Sequence, residues 1–122
     1  MASSDEWVLS GKMTDARAYF GYGSSKSRGL VMAGGNSVTG FLSSVEMTKD
    51  GETFETLPDL DIEVDKSCLV VLNDDTIFTC GGFNGNPDTA SYTFLFSDTT
   101  NSWSRYENYL LYIYRARQKS DP

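Results

Sequence analysis

The sequence predicts an all-β chain made of two four-stranded antiparallel units. Three observations predict it. A short apolar run ending in a glycine pair occurs twice, as LVMAGG at 30–35 and IFTCGG at 77–82, 47 positions apart. Tight-turn signals, KDGE at 49–52, NDD at 73–75 and DTTN at 98–101, separate short β-rich runs. No stretch carries a convincing helical period.

The elements follow in order. The runs GLVMAG and TIFTCG, bounded by turn residues, read as buried strands. NDD joins CLVVL to TIFTC as a hairpin, and Asp-Gly joins SSVEMT to TFETL as another. Each unit then has strands a to d: 17–22, 29–34, 42–48 and 53–57, followed by 66–72, 76–80, 91–97 and 102–106. Trp7 is expected on a leftover d-like strand at the front. The tail YLLYIYRA at 109–116 is rich in β-branched and aromatic residues, which favours strand. The expected organisation is an end strand of a preceding unit (1–16), a first repeat (17–60), a second repeat (61–107) and a divergent tail (108–122).

The repeat extends beyond the glycines. Superposing Gly34-Gly35 on Gly81-Gly82 places Leu30-Val31-Met32 on Ile77-Phe78-Thr79. Met47 and Phe54 fall on Phe96 and Trp103 at an offset of 49, so two extra residues are expected in the loop FNGNPDTA at 83–90, where insertions are tolerated. A large aromatic recurs three times, as Trp7, Phe54 and Trp103. Arg17 has Val64 as its counterpart.

Four short strands, a period near 50, a glycine pair closing strand b and an aromatic on strand d resemble the kelch repeat of β-propellers. Gly34, Gly35, Met47 and Phe54 carry the resemblance in the first unit, and Gly81, Gly82, Phe96 and Trp103 in the second. The stretch from Ser43 to Leu60 also resembles the kelch passage from strand c to the Leu-Pro connection, and Arg17 stands where many kelch units start strand a. The chain departs from the pattern at Phe54 (Trp expected), Met47 (Tyr expected), Val64 (Arg expected) and everywhere after Trp103. The resemblance implies two four-stranded propeller blades in a partial, open β-propeller. Propellers close with four to eight blades. Two units therefore imply missing blades or self-association, because open blade faces are exposed apolar surface. The alternative is an antiparallel sandwich with glycines at its strand ends.

Composition narrows the function classes. The formal charge is −7 with ten basic residues, which argues against a broad nucleic-acid surface. Arg115, Arg117 and Lys119 make only a small basic tail. No apolar stretch approaches membrane-spanning length, and the acidic start lacks the form of a secretory signal, so a cytoplasmic chain is expected. There is no histidine, which removes the commonest acid–base group and metal ligand. Kelch propellers include copper oxidases, but that resemblance requires imidazole ligands. Neither a cofactor, a metal nor a catalytic residue is expected.

The remaining motifs have structural readings. TKDGETF at 48–54 resembles the Asp-box turn of sialidase-type propellers, one residue short, and reads as a hairpin. Asp59, Asp61 and Glu63 read as a solvated acidic connection. If Leu72 pairs Thr76, Cys68 and Cys80 face each other across one hairpin, as free thiols or as a cross-strand disulfide.

The kelch resemblance implies a non-enzymatic module that binds protein partners through the loops between strands. The expected contact loops are 35–42, 82–90 and 58–66, with Phe41 and Phe83 as aromatic anchors and Asn84, Asp59 and Asp61 beside them. The alternative is a fragment of a propeller enzyme, an oxidase or glycan-processing protein, whose catalytic residues lie in missing blades.

Overall fold

Turn residues and alternating small and apolar residues divide the chain into short strands. The computed structural model describes residues 5–107. The first unit contains β1 (Gly21–Ser25), β2 (Gly29–Ala33), β3 (Asn36–Ser37), β4 (Gly40–Phe41), β5 (Val45–Thr48) and β6 (Glu55–Leu57). The second contains β7 (Cys68–Val71), β8 (Ile77–Cys80), a 3-10 helix (Pro87–Ser91), β9 (Tyr92–Ser97) and β10 (Ser102–Glu107). β1-β2-β5-β6 form one antiparallel sheet and β7-β8-β9-β10 a second, while β3 and β4 make a small hairpin within the loop after β2. The all-β expectation holds, and each of the two main sheets has four strands.

The backbone repeats with the sequence. Gly21 faces Ala33 in β1–β2, and Cys68 faces Cys80 in β7–β8, each residue 47 positions after its counterpart. Ala18 bridges Asn36 as Asp65 bridges Phe83, at the same interval. Left-handed φ values recur with it: 53° and 55° at Tyr19 and Lys66, and 107° and 109° at Gly35 and Gly82. A Cβ on Gly35 would lie 2.7 Å from the Ala18 carbonyl oxygen, and one on Gly82 2.8 Å from that of Asp65. Each glycine pair thus lets the end of strand b meet the residues leading into strand a at backbone distance.

The core lies between the sheets. Directly paired antiparallel residues share a face, and successive residues alternate. One face of the first sheet therefore carries Val31, Ala33, Val45, Met47 and Leu57. The facing side of the second carries Leu69, Ile77, Phe94 and Phe96. These join Leu60 and Val64 of the connecting segment in one buried cluster. Gly21 and Gly23 leave room for it: a Cβ on Gly23 would meet Leu69 Cδ2 at 2.7 Å. Trp103 packs on Phe96 with ring centroids 5.1 Å apart, and its Nε1 donates to the Pro58 carbonyl at 2.8 Å, closing the seam between the units.

Several expectations are corrected. Strand a was expected at 17–22 and 66–72 but runs over Gly21–Ser25 and Cys68–Val71. Left-handed Tyr19 and Lys66 turn the chain before it can pair. No strand forms around Trp7, which is fully exposed. A strand needs a neighbour, and the N–H groups of Thr14 and Asp15 instead donate to the Glu46 carboxylate. Met47 does not correspond to Phe96. Val31 pairs Met47 and Phe78 pairs Leu95, so Met47 matches Leu95, 48 positions on, and Phe96 matches Thr48. Phe54 and Trp103 keep the offset of 49, because Met47 pairs Glu55 and Leu95 pairs Ser104. One extra residue therefore lies between strands b and c, and the other in the turn between c and d. The loop at 83–90 contains the start of the 3-10 helix, whose Asn86 side chain caps the Asp88 N–H. The expected tail strand, 109–116, lies outside the described residues.

Candidate interaction surface

The loops between strands b and c and those leading into strand a emerge at the same end of both sheets. The sequence-expected anchors meet there. Phe41, from β4, and Phe83, just after the second glycine pair, make an edge-on contact with centroids 6.0 Å apart. The Lys66 ammonium stands 5.7 Å from the Phe83 ring centroid and 5.0 Å from that of Tyr19. Phe41, Phe83, Lys66 and Tyr19 thus form one row. Tyr19 is 67% exposed and Phe83 52%.

The backbone holds this row in place. The Lys66 N–H donates to the Tyr19 carbonyl at 2.7 Å, and the Gly35 N–H to the Val64 carbonyl at 2.8 Å. Both bonds join one unit to the next. Bulky residues with positive φ are uncommon and cluster where the surrounding structure fixes them. Beneath the row, Asp65 is buried. Its Oδ2 lies 3.6 Å from Lys66 Nζ and 3.4 Å from Asn36 Nδ2, and its Oδ1 has no hydrogen-bond partner.

The other expected residues divide. Asn84 braces its own loop, donating to the Glu63 carbonyl at 2.8 Å and accepting from Thr89 Oγ1 at 2.7 Å. Asp61 pairs with Arg105 at 3.5 Å, and Asp59 is exposed. Neither carboxylate belongs to the aromatic row. Lys66 closes the expected contact loop 58–66 but was not singled out within it, and Tyr19 was missed. Their shared place in the repeat was the available signal, but Tyr and Lys share no chemistry that would mark it.

The opposite end is built from turns. The Asp75 carboxylate spans the two units, accepting from the N–H groups of Lys26 and Ser27 at 2.7 and 3.1 Å and from the hydroxyls of Ser25 and Ser27 at 2.9 and 2.5 Å. The Ser27 hydroxyl leads in holding its pKa down to about 2. Asp50 closes the expected hairpin by accepting from the N–H groups of Glu52 and Thr53, both at 2.8 Å. An open cleft of about 360 Å³ beside it is lined by Arg28, Met47, Lys49, Asp50 and Glu55, a mixed set that favours no ligand charge.

The aromatic row offers ring faces and one ammonium, chemistry suited to binding. Among the described residues, no helix is long and apolar enough to cross a membrane.

No protein-family model matches the sequence, and no curated protein matches it significantly. Among solved structures, the chain is similar to a fungal alcohol oxidase of the AA5 family in complex with copper. The two share 19% identity with a TM-score of 0.60, over 75% of this chain and 22% of that one. The chain thus spans about a fifth of the oxidase. At this identity the likeness concerns fold alone.

Proposed function

We propose that the chain is an arc of two kelch-type propeller blades that binds a protein partner through the row Tyr19, Lys66, Phe83 and Phe41. The observation that carries this is the meeting of Phe41 and Phe83, from the corresponding loops of the two units, beside a lysine that bridges two exposed rings. Exposed aromatics on a fixed backbone are the residue types that dominate interface energetics. The recurrence of register, glycine pairs and left-handed residues at 47 positions supports the blade reading.

The test is site-specific photo-cross-linking in cells. A photoreactive phenylalanine analogue replaces Phe83 in one variant and exposed Thr99 in another. One protein captured reproducibly from position 83, absent from position 99 and lost on Lys66→Glu, supports the reading. The same adducts from both positions overturn it.

A second reading has its own support. The chain covers only about a fifth of the oxidase that it resembles in fold, which suits a piece of a larger propeller, and such a piece would belong to an enzyme if the reacting groups lie in other blades. Sequencing full-length transcripts separates the two readings: further blades carrying a clustered ligand set or a carboxylate pair favour the enzyme.

A further inference from the structure

Cys68 and Cys80 are directly paired across the β7–β8 hairpin, so their side chains share one face of the second sheet. Both are free thiols; Cys68 is exposed and Cys80 half-buried. Facing antiparallel residues have Cα atoms about 4.5–5.5 Å apart. A disulfide spans about 4.4–6.8 Å. The register therefore places their Cα atoms within the range a disulfide spans. In the first unit Gly21 and Ala33 hold the same positions, and both are buried. The second unit has a thiol at each place, one of them open to solvent. We propose that Cys68 and Cys80 are a reversible dithiol–disulfide site, oxidised by small-molecule disulfides such as glutathione disulfide, that ties strand a to strand b of the second sheet.

The two thiols have different roles. Cys68 is the accessible nucleophile. Its thiolate attacks one glutathione sulfur, forming a mixed disulfide on Cys68 and releasing one glutathione thiolate, which takes up a proton. The Cys80 thiolate then attacks Cys68 Sγ, forming the intramolecular bond and expelling the second glutathione. Two protein thiols and one glutathione disulfide become one protein disulfide and two glutathione thiols. Burial, followed by the neighbouring Cys68 thiol, pushes the Cys80 pKa up to about 11. Little Cys80 is thiolate near neutrality, so it reacts with an adjacent mixed disulfide and not with free oxidant.

Intact mass spectrometry of the reduced protein treated with glutathione disulfide tests this. The expected product has lost two hydrogens, carries no glutathione, is monomeric with respect to disulfides on a non-reducing gel, and melts several degrees higher than the reduced form. Cys80→Ala is expected to stop with one glutathione on Cys68, and Cys68→Ala to stay unmodified over the same period. Circular dichroism of each variant before oxidation establishes that it is folded. Two stable glutathione adducts, two thiols still open to alkylation, or first attack at Cys80 overturns the proposal. If a variant fails to fold, the adduct order and final mass of the parent protein decide alone.

Discussion

Arg17 and Glu46 form an ion pair 2.6 Å long with neither side chain exposed, and Val64 and Phe94 stand in their places in the second unit. The exchange is coupled: where the arginine becomes apolar, so does its carboxylate partner. In the first unit the guanidinium also donates to the Gly34 and Ser44 carbonyls at 2.7 and 3.0 Å, so it ties the segment leading into strand a to the end of strand b and the approach to strand c. In the second unit Val64 and Phe94 are both buried in the core between the sheets. One repeat position is thus filled by two chemistries that each leave no unpaired charge.

Breaking the pair from one side is therefore expected to do more harm than changing both sides. Arg17→Val leaves a buried carboxylate and should destabilise by about 3–5 kcal/mol, the range for removing one partner of a buried pair. Glu46→Phe should do similar damage. The double variant should lose clearly less than the two single losses added together. It will not match the parent, because the N–H groups of Thr14 and Asp15 lose their acceptor. Urea unfolding of all four proteins measures the coupling. Simple additivity would show that the two side chains act independently.

Acid should destabilise the protein through carboxylates held below their ordinary pKa, Glu46 and Asp75 among them. Burial opposes ionisation of Glu46, but the Asp15 and Thr14 N–H groups and the Arg17 guanidinium hold its pKa below the usual value. Asp75 is held at about 2. Folded-state pKa values below the unfolded ones give stability that is present above about pH 4–5 and lost as pH falls through the folded values. Solvent screening limits the Asp75 share to about 1 kcal/mol. Melting temperature should accordingly be flat from pH 7 to 5 and fall below pH 4. Asp75→Asn should lower the plateau and flatten the fall; an unchanged acid slope would remove Asp75 from this account.

How much was legible in the sequence follows from what each signal encodes. Gly-Gly at 34–35 and 81–82 marked a close backbone approach that recurs at Gly35 and Gly82, whereas Gly34 and Gly81 share their left-handed φ but differ in crowding: a Cβ on Gly34 would overlap the Val64 carbonyl oxygen, and one on Gly81 would lie no nearer than 3.9 Å to that of Ala90. Turn chemistry fixed the hairpin registers, so Cys68 could be placed opposite Cys80. The start of strand a was misplaced because Tyr19 and Lys66 adopt left-handed conformations that their side chains do not announce. Matching aromatics to aromatics misaligned Phe96 with Met47, whereas hydrogen-bond register matches Phe96 with Thr48. Similar residues can sit at different repeat positions when the neighbouring surface differs. The Trp7 strand was expected by analogy with Phe54, but strand formation depends on a neighbour that sequence similarity does not supply. At the candidate surface, Phe41 and Phe83 were legible as paired loop aromatics, and the Lys66 link between the rings was not.

Trp103 should be sensitive to substitution through two separable interactions. It combines ring packing on Phe96 with a hydrogen bond to Pro58, the residue after the first unit's last strand. Because it is half-buried, Trp103→Ala is expected to destabilise by about 3 kcal/mol, the lower end for large aromatics. Trp103→Phe keeps ring area but removes the donor and should lose about 1 kcal/mol. Denaturant titration of both separates packing from hydrogen bonding. Equal losses would assign the whole effect to the indole N–H.

The outer face of the first sheet leads to the last prediction. Tyr22 occupies the position of Leu69, and Leu30 that of Ile77. Leu69 and Ile77 are 7% and 1% exposed, because they pack between the sheets. Tyr22 and Leu30 are 66% and 40% exposed. The same positions are therefore an interface in one unit and solvent-facing in the other. Such a face favours association, while a formal charge of −7 opposes it at low ionic strength. Light scattering of the purified chain should show mass growing with protein concentration and, as screening weakens the repulsion, with salt. Leu30→Glu together with Tyr22→Lys should suppress that growth without lowering the melting temperature of the dilute protein, because neither side chain is in the buried cluster. A parent chain that stays monomeric at high salt and high concentration would mean that this face does not drive association. Growth that persists in the double variant would place the contact elsewhere, with the outer edges of β6 and β10 as the next strands to block.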